Sequence, residues 1–140
     1  MDYTLHAETG YINFSPVGFK LTARDFRRCA DTFKPPQFSI VPYFLYCRAI
    51  ELGLKAIHLE THKQQEVKDE YGHDLIRSYK ALPLERRTLS TVDSDLLAQI
   101  SRLYERKAFE YMQPGDAGTG FSTFPDLEQL ARLAINFASE

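Results

Sequence analysis

The segment between residues 36 and 62 constrains the fold more than any other part of the chain, because its apolar residues cover more than one side of a helix. These residues are Phe38, Ile40, Val41, Phe44, Leu45, Cys47, Ala49, Ile50, Leu52, Leu54, Ala56, Ile57 and Leu59. A helix that is apolar around most of its circumference must be buried on several sides, so other helices have to pack against it. We therefore predict a long central helix from Pro36 to His62, in which Pro42 demands either a bend or a later start.

Further helices are predicted where apolar residues recur three and four positions apart. The expected ranges are Pro16 to Phe33, a short helix between Gly72 and Pro83, Val92 to Met112, and Pro125 to the C-terminus. The segment from Ser90 to Asp93 has the form of a capping box. The glutamate- and lysine-rich segment from His62 to Glu70 is assigned no helix. Together these patterns predict an all-α, up-down helical bundle of about five helices around the central one.

The N-terminal residues show a different pattern. Apolar residues alternate loosely around a turn signal at Thr9 and Gly10, which predicts a short N-terminal β-hairpin or arm over residues 1–15. Residues 16–140 then form the bundle. A chain of 140 residues has the length of one domain, so we expect one core.

Composition excludes several classes of protein. Hydrophobic residues make up 44% of the chain, which is enough for a packed core and excludes a disordered chain. The formal net charge is −2, so any binding to nucleic acid has to be local. No apolar run reaches the roughly 18 residues of a membrane span, and the N-terminus lacks the pattern of a signal peptide, so we expect a soluble protein of the cytoplasm with no membrane partner. Cys29 and Cys47 lie in apolar helical patterns and are expected to be buried, reduced thiols.

A polar stripe interrupts the apolar surface of the central helix. It consists of Arg48, Glu51, Lys55, His58 and His62, which fall within an arc of about 80° when each residue turns the helix by about 100°. The order of Glu51 and Lys55, four residues apart with the acid first, favours a helical ion pair.

Two interpretations of the polar stripe remain open. In the first, the stripe is simply the face of the helix that meets water. In the second, it lines a cleft in which anionic ligand groups meet Arg48 and Lys55. The histidines of such a cleft would titrate near neutrality, since an unperturbed histidine has a pKa of about 6.5.

Two motifs resemble a known family. Residues 43–56 read YFLYCRAIELGLKA and residues 71–75 read YGHDL. In this order and spacing they resemble the HEPN superfamily, the higher-eukaryote and prokaryote nucleotide-binding domains, over roughly residues 16–138. The resemblance implies a helical bundle that pairs as a homodimer and binds a nucleotide, RNA or a protein partner. It also places Tyr111 where such domains often carry a tyrosine before a loop and the last helix.

Many HEPN domains are metal-independent ribonucleases that use an arginine followed after four to six residues by a histidine. That motif is absent here, because nine residues separate Arg48 from His58 and no other arginine has the required spacing. The absence favours a non-catalytic binding module. Two alternatives are kept: a divergent ribonuclease of toxin or defence type that assembles Arg48, His58 and His73 across a dimer cleft, and a purely structural oligomerisation domain.

Other chemistry finds less support. His58 and His62 have the spacing of zinc ligands, but the glutamate of the zincin motif does not follow the first histidine and no third ligand is apparent, so neither a metal nor a cofactor is expected. His73 and Asp74 stand at a helix start, where an acid stabilises the helix by itself. We therefore expect Asp74 to act as a cap, and we include both residues with the polar stripe and Tyr111 as candidate ligand-binding residues.

Overall fold

The computed structural model describes residues 3–6, 11–105 and 124–139, with side chains from residue 15 onward in these ranges. The fold is all-α apart from a small N-terminal hairpin of strands β1 (Tyr3–His6) and β2 (Tyr11–Phe14). The helices are α1 (Pro16–Thr32), α2 (Val41–His58), α3 (Gln64–Tyr71), α4 (Leu75–Lys80), α5 (Thr91–Glu105) and α6 (Leu127–Ile135), with a short 3₁₀ turn at Leu84–Arg86.

The hairpin is antiparallel, with Leu5 opposite Ile12 in its register. The strands therefore agree with the predicted hairpin, while the turn predicted at Thr9 and Gly10 lies outside the described residues. Immediately after β2, the Ser15 side chain accepts a hydrogen bond of 3.2 Å from the backbone N–H of Gly18 and so caps α1. The division of the chain at residue 15 stays a prediction.

Helix α2 is the predicted central helix, but it is shorter than the predicted range from Pro36 to His62, and its start is the later one that Pro42 allowed. Pro42 lies in the first turn, where its missing N–H costs nothing, whereas a proline in the helix interior would clash with the carbonyl four residues earlier. The helix therefore begins at Val41. At the other end the backbone tightens, since the N–H of Thr61 bonds the carbonyl of His58 at 3.1 Å, and His62 lies beyond the helix.

Other helices enclose α2, as its apolar residues predict. Helices α1, α4, α5 and α6 all contact it. The largest fully buried side chains of the core include Ile50, Leu54, Leu75, Leu97, Ile100, Leu130 and Leu133. Between α1 and α2 the fully buried Ala23 and Ala49 allow the two helices to approach closely. The middle of α2 is thus buried within one chain, while Val41 at its start is 45% exposed.

Helix α3 was not predicted, because its sequence carries almost no apolar pattern. Val67 is its one buried residue, and the rest of the helix is polar. Its start is stabilised by Glu66, whose carboxylate accepts a hydrogen bond of 3.2 Å from the backbone N–H of Lys63. A short helix that buries one residue leaves no periodic signal to detect.

The last two helices start at side-chain caps. The N–H of Asp93 donates to Ser90 Oγ at 3.1 Å, which confirms the predicted cap of α5, while the predicted end at Met112 lies outside the described residues. Helix α6 begins later than predicted, at Leu127, because the Asp126 carboxylate accepts the N–H of Gln129 at 3.3 Å and makes Asp126 the cap.

Cys47 is buried as predicted, whereas the prediction that Cys29 is buried is wrong because α1 turns it to the surface. None of the helices in the described part of the chain has both the length and the hydropathy to cross a membrane.

Candidate functional site

The side chain of Glu51 is the centre of a buried polar cluster. It lies in the middle of α2 and is 2% exposed. Four side chains donate hydrogen bonds to its two carboxylate oxygens. Oε2 accepts from Arg48 at 2.9 Å and from Lys55 at 2.6 Å, and Oε1 accepts from His73 Nδ1 at 2.9 Å and from the Tyr104 hydroxyl at 2.6 Å. We call these five residues the Glu51 cluster.

Local structure explains how each donor reaches Glu51. Arg48 and Lys55 stand three residues before and four residues after it, so the helical repeat places them on the same face. Helix α5 delivers Tyr104 from 53 residues away in sequence. His73 follows Gly72, whose φ of +50° belongs to the left-handed region that glycine adopts without strain, so the chain can turn sharply between α3 and α4.

The cluster keeps Glu51 ionised. Burial by itself would raise the pKa of Glu51, but the hydrogen bonds from Lys55, Tyr104 and His73, together with the charge of Lys55, outweigh burial and lower it. The pKa of Tyr104 is shifted in the opposite direction, because burial and the charge of Glu51 both raise it. Tyr104 is therefore a neutral donor to a carboxylate.

His73 is the one member of the cluster that is mainly exposed, at 58% of its side chain. An ionised carboxylate only accepts, so Nδ1 of His73 carries the hydrogen, and in the neutral ring Nε2 has a lone pair. The ring also packs edge-on against Tyr104, with a centroid distance of 5.6 Å. A buried carboxylate thus orients a histidine whose ring is mainly exposed to solvent.

A cleft of about 160 Å³ adjoins the cluster between α1, α2 and α3. Its lining residues are Phe19, Arg48, Glu51, Leu52, Lys55, Leu59, Gln64, Val67 and Lys68. The cleft has three cationic side chains and one carboxylate, so it is positive overall. Lys68 forms no ion pair within the described residues. The side chains of Arg48 and Lys55, although bonded to Glu51, are 34% and 15% exposed. We call this the basic cleft.

The polar stripe predicted on α2 is divided in the structure. Arg48, Glu51 and Lys55 line the basic cleft, whereas His58 is 4% exposed and His62 is an exposed residue beyond the helix end. The interpretation of the stripe as a water-facing side is therefore wrong, because its central carboxylate is buried. Only the first three residues of the stripe line the predicted cleft, and the binding of a ligand there stays a prediction.

His58 faces α4 rather than the basic cleft. Its Nε2 donates to the backbone carbonyl of Ser78 at 2.9 Å, and its ring stacks on Tyr71 with a centroid distance of 4.4 Å. Burial lowers the pKa of His58 despite the hydrogen bond to Ser78, and the neighbouring His62 lowers it further. His58 thus packs against α4 and His62 contacts Thr61 at 2.8 Å, and the ligand-binding roles predicted for both stay predictions.

The remaining predicted site residues fall in different places. The Asp74 carboxylate accepts the N–H of Arg77 at 3.1 Å, so Asp74 is the predicted cap of α4. Tyr111 lies outside the described residues. In the described part of the chain, no group of three or more His, Cys, Asp or Glu side chains is placed to hold a metal ion. Burial, with a smaller effect of the Glu51 charge, raises the pKa of the Cys47 thiol well above its usual range, which disfavours the nucleophilic thiolate.

Two residues of the site escaped prediction. Tyr104 lies on the buried face of α5. A buried tyrosine hydroxyl needs a polar partner, so a tyrosine at this position could have been predicted to bond a buried polar group. Lys68 could not have been predicted, because in the sequence it is one of several charged residues in the same segment. Only the packing of α3 places it at the cleft.

No protein-family model, no curated protein and no solved structure matches the chain.

Proposed function

We propose that the protein is a non-catalytic, HEPN-like binding module that holds a phosphate group of a nucleotide or short RNA in the basic cleft. The observation that supports this function most directly is the buried Glu51, which fixes two cations at the edge of a concave surface. Phosphate recognition requires positioned donors, and fixing them before the ligand arrives reduces the entropy lost on binding.

Arg48 and Lys55 have N–H donors left for a ligand after they bind Glu51. An arginine has five N–H donors and a lysine has three, whereas Arg48 and Lys55 each use one of them to bind Glu51. Lys68 adds a third cation that pairs with no acid in the described part of the chain. A phosphate in the cleft can therefore be contacted by three cations without breaking the Glu51 cluster.

The sharpest test uses Lys68, because removing its charge leaves the Glu51 cluster intact. Lys68→Gln should weaken binding of a short single-stranded RNA of mixed sequence. It should also reduce the slope of log affinity against log salt concentration by about 0.7, the value for one phosphate contact on a single strand. Lys80→Gln, a change of the same charge on the exposed end of α4, is the matched control and should leave the slope unchanged. Equal slopes for both variants would contradict the basic cleft as the binding site.

A second test removes the two fixed cations. Arg48→Gln combined with Lys55→Gln should abolish binding of the same RNA and of nucleoside monophosphates. Circular dichroism must show that the helix content is retained, since these side chains also neutralise the buried Glu51. Binding that persists in a folded double variant would contradict the proposal.

The geometry of His73 favours a second candidate function, the divergent ribonuclease. Its ring is 58% exposed and oriented by a carboxylate, as a general base in phosphodiester cleavage requires. His58 cannot join it, because it is buried against Ser78 and Tyr71. Incubation of metal-free protein with mixed RNA tests this candidate. Cleavage that is lost in His73→Ala would establish the enzyme, and absence of cleavage favours the binding module.

We further propose that the module acts as a homodimer. Three of its exposed large apolar side chains, Phe33, Phe38 and Val41, lie in one short stretch of chain, and a contiguous apolar surface often marks a protein contact. Val41→Ser should shift the mass measured by light scattering towards the monomer, while Val92→Ser, an exposed valine on α5, should not. A dimer that binds no nucleotide or RNA would favour the structural oligomerisation domain, and a monomer would leave this surface to a different protein partner.

A further inference from the structure

A second cavity of about 210 Å³ lies on the side of α2 opposite to the basic cleft. It is lined by α1, by the second half of α2, by the 3₁₀ turn and by the C-terminal end of the bundle. The α2 residues that line it are Gly53 and Ile57. Gly53 stands two positions after Glu51, and Ile57 stands two positions after Lys55, and both Glu51 and Lys55 line the basic cleft. Two positions correspond to slightly more than half a helical turn, so the two pairs point to opposite sides of α2. The two concave surfaces are therefore separate.

Cations from two elements converge on this cavity. Lys20 and Arg24 come from α1 and Arg86 comes from the 3₁₀ turn, and none of the residues that line the cavity in the described part of the chain is acidic. The acids that pair with Arg24 and Arg86 lie outside the lining, at distances of 3.5 Å and 3.1 Å. The cavity thus presents three cations and no lining acid, and the two acids that partly offset Arg24 and Arg86 are themselves exposed.

Arg24 supplies an independent observation. Its Nε is buried and has no hydrogen-bond acceptor among the described residues. A buried donor without an acceptor is unfavourable, and such groups in folded proteins usually have a partner. The Arg24 side chain lines the cavity and is 28% exposed, so a bound molecule can contact its guanidinium beside the buried Nε.

The size and the apolar part of the lining restrict the ligand. Leu21, Ile57 and Phe137 add apolar surface to the cavity beside the cations. At about 30 Å³ per molecule in the liquid, the volume corresponds to about seven waters, which is below the roughly 300 Å³ or more of a pocket for a drug-sized molecule. A small group with one charged head fits within this volume, whereas most of a whole nucleotide would lie outside it.

From these observations we propose that the cavity lined by Lys20, Arg24 and Arg86 binds a small phosphate monoester. The phosphate contacts the three cations, and its aryl or alkyl group packs on Ile57 and Phe137. Three cations without a lining acid favour a doubly charged phosphate over a singly charged carboxylate. This site is distinct from the basic cleft and does not depend on its proposed function.

The test is calorimetric titration of the full chain with phenyl phosphate at constant ionic strength. Lys20→Gln and Arg24→Gln should each weaken binding by about tenfold, the effect of one charge-assisted hydrogen bond. Arg28→Gln removes the same charge from an exposed position on α1 outside the cavity and should change the affinity less than about twofold. Lys20 is a safe second variant, since it forms no ion pair with another residue of the described ranges and its loss should not affect folding.

Further ligands and one further variant measure the specificity of this site. Benzoate should bind more weakly than phenyl phosphate, and phenol should not bind measurably. Lys68→Gln, in the basic cleft, should leave the affinity for phenyl phosphate unchanged. The proposal is overturned if phenyl phosphate does not bind, if phenol or benzoate binds as tightly, if Arg28→Gln weakens binding as much as Arg24→Gln, or if Lys68→Gln abolishes it.

Discussion

The hydroxyl of Tyr104 donates a hydrogen bond of 2.6 Å to Oε1 of Glu51 and joins the middle of α2 to the end of the described part of α5. Both side chains are buried, so the bond forms away from competing water. A hydrogen bond to a charged acceptor in such a place is stronger than one between neutral groups. It is therefore a structural link between two core helices as well as part of the candidate site.

Tyr104→Phe should lower the free energy of unfolding by about 1.5 to 3 kcal/mol, because it leaves the buried Glu51 with one donor fewer. Urea denaturation at pH 7 measures the change. Tyr71→Phe is the matched control, since no hydrogen bond of its hydroxyl is found in the described structure, and its effect should stay below about 0.5 kcal/mol. Equal effects of the two variants would show that the Tyr104 bond contributes nothing specific.

Glu51→Gln should change how stability depends on pH. The pKa of Glu51 in the folded protein lies below its ordinary value of 4.5, so the unfolded chain takes up the proton first as pH falls. The stability contributed by ionised Glu51 is fully present above pH 4.5 and is lost as pH falls through the lowered pKa. Wild type should exceed the variant by about 2 kcal/mol at pH 7, because Arg48 and Lys55 lose their carboxylate. Denaturation profiles between neutral and acid pH should converge at low pH, and parallel profiles would exclude this role of Glu51.

His58→Gln should flatten the pH dependence near neutrality. Burial holds the pKa of His58 below its ordinary value of 6.5, so the folded protein keeps the ring neutral where the unfolded chain protonates it. Stability linked to His58 is present above pH 6.5 and is lost as pH falls through the lowered pKa. Urea midpoints of wild type should decline over this range more steeply than those of the variant. Identical slopes would contradict the buried, neutral state of His58.

Gly53→Ala should destabilise the protein by about 1 to 3 kcal/mol, the usual cost of overpacking a core. An added Cβ would stand 2.1 Å from the backbone oxygen of Phe137, which cannot move as freely as a flexible side chain. No separate control variant is needed, because the close contact and its absence predict stability changes of opposite sign. In a helix without this close contact, alanine is more stable than glycine by about 1 kcal/mol. A thermal melt that shows stabilisation would mean that the C-terminal end shifts to make room.

Much of the fold followed from local patterns, and the exceptions have physical causes. Apolar residues around the circumference of α2 predicted a buried helix, and Ser90 predicted the start of α5, because both signals lie within a few neighbouring residues. Helix α3 could not be predicted in the same way, since it is short and only Val67 anchors it. Of the two outcomes that Pro42 allowed, a bend or a later start of α2, the later start could have been chosen, because proline fits the first turn of a helix and not its interior.

The candidate site was only partly predictable. The helical repeat brought Arg48, Glu51 and Lys55 together correctly, but it also grouped His58 with them, although α4 packs against His58 and removes it from the cleft. A helical projection gives the direction of a side chain but not the element that covers it.

The sequence by itself determined that α2 is central and that Arg48 and Lys55 flank Glu51, because helix periodicity is a local property of the backbone. Only the tertiary structure decided that Glu51 is buried and that Tyr104 and His73 complete its hydrogen bonds, since these partners stand 53 and 22 residues away. Contacts at such separations depend on how whole helices pack, and no local pattern of charges or apolar residues encodes that arrangement.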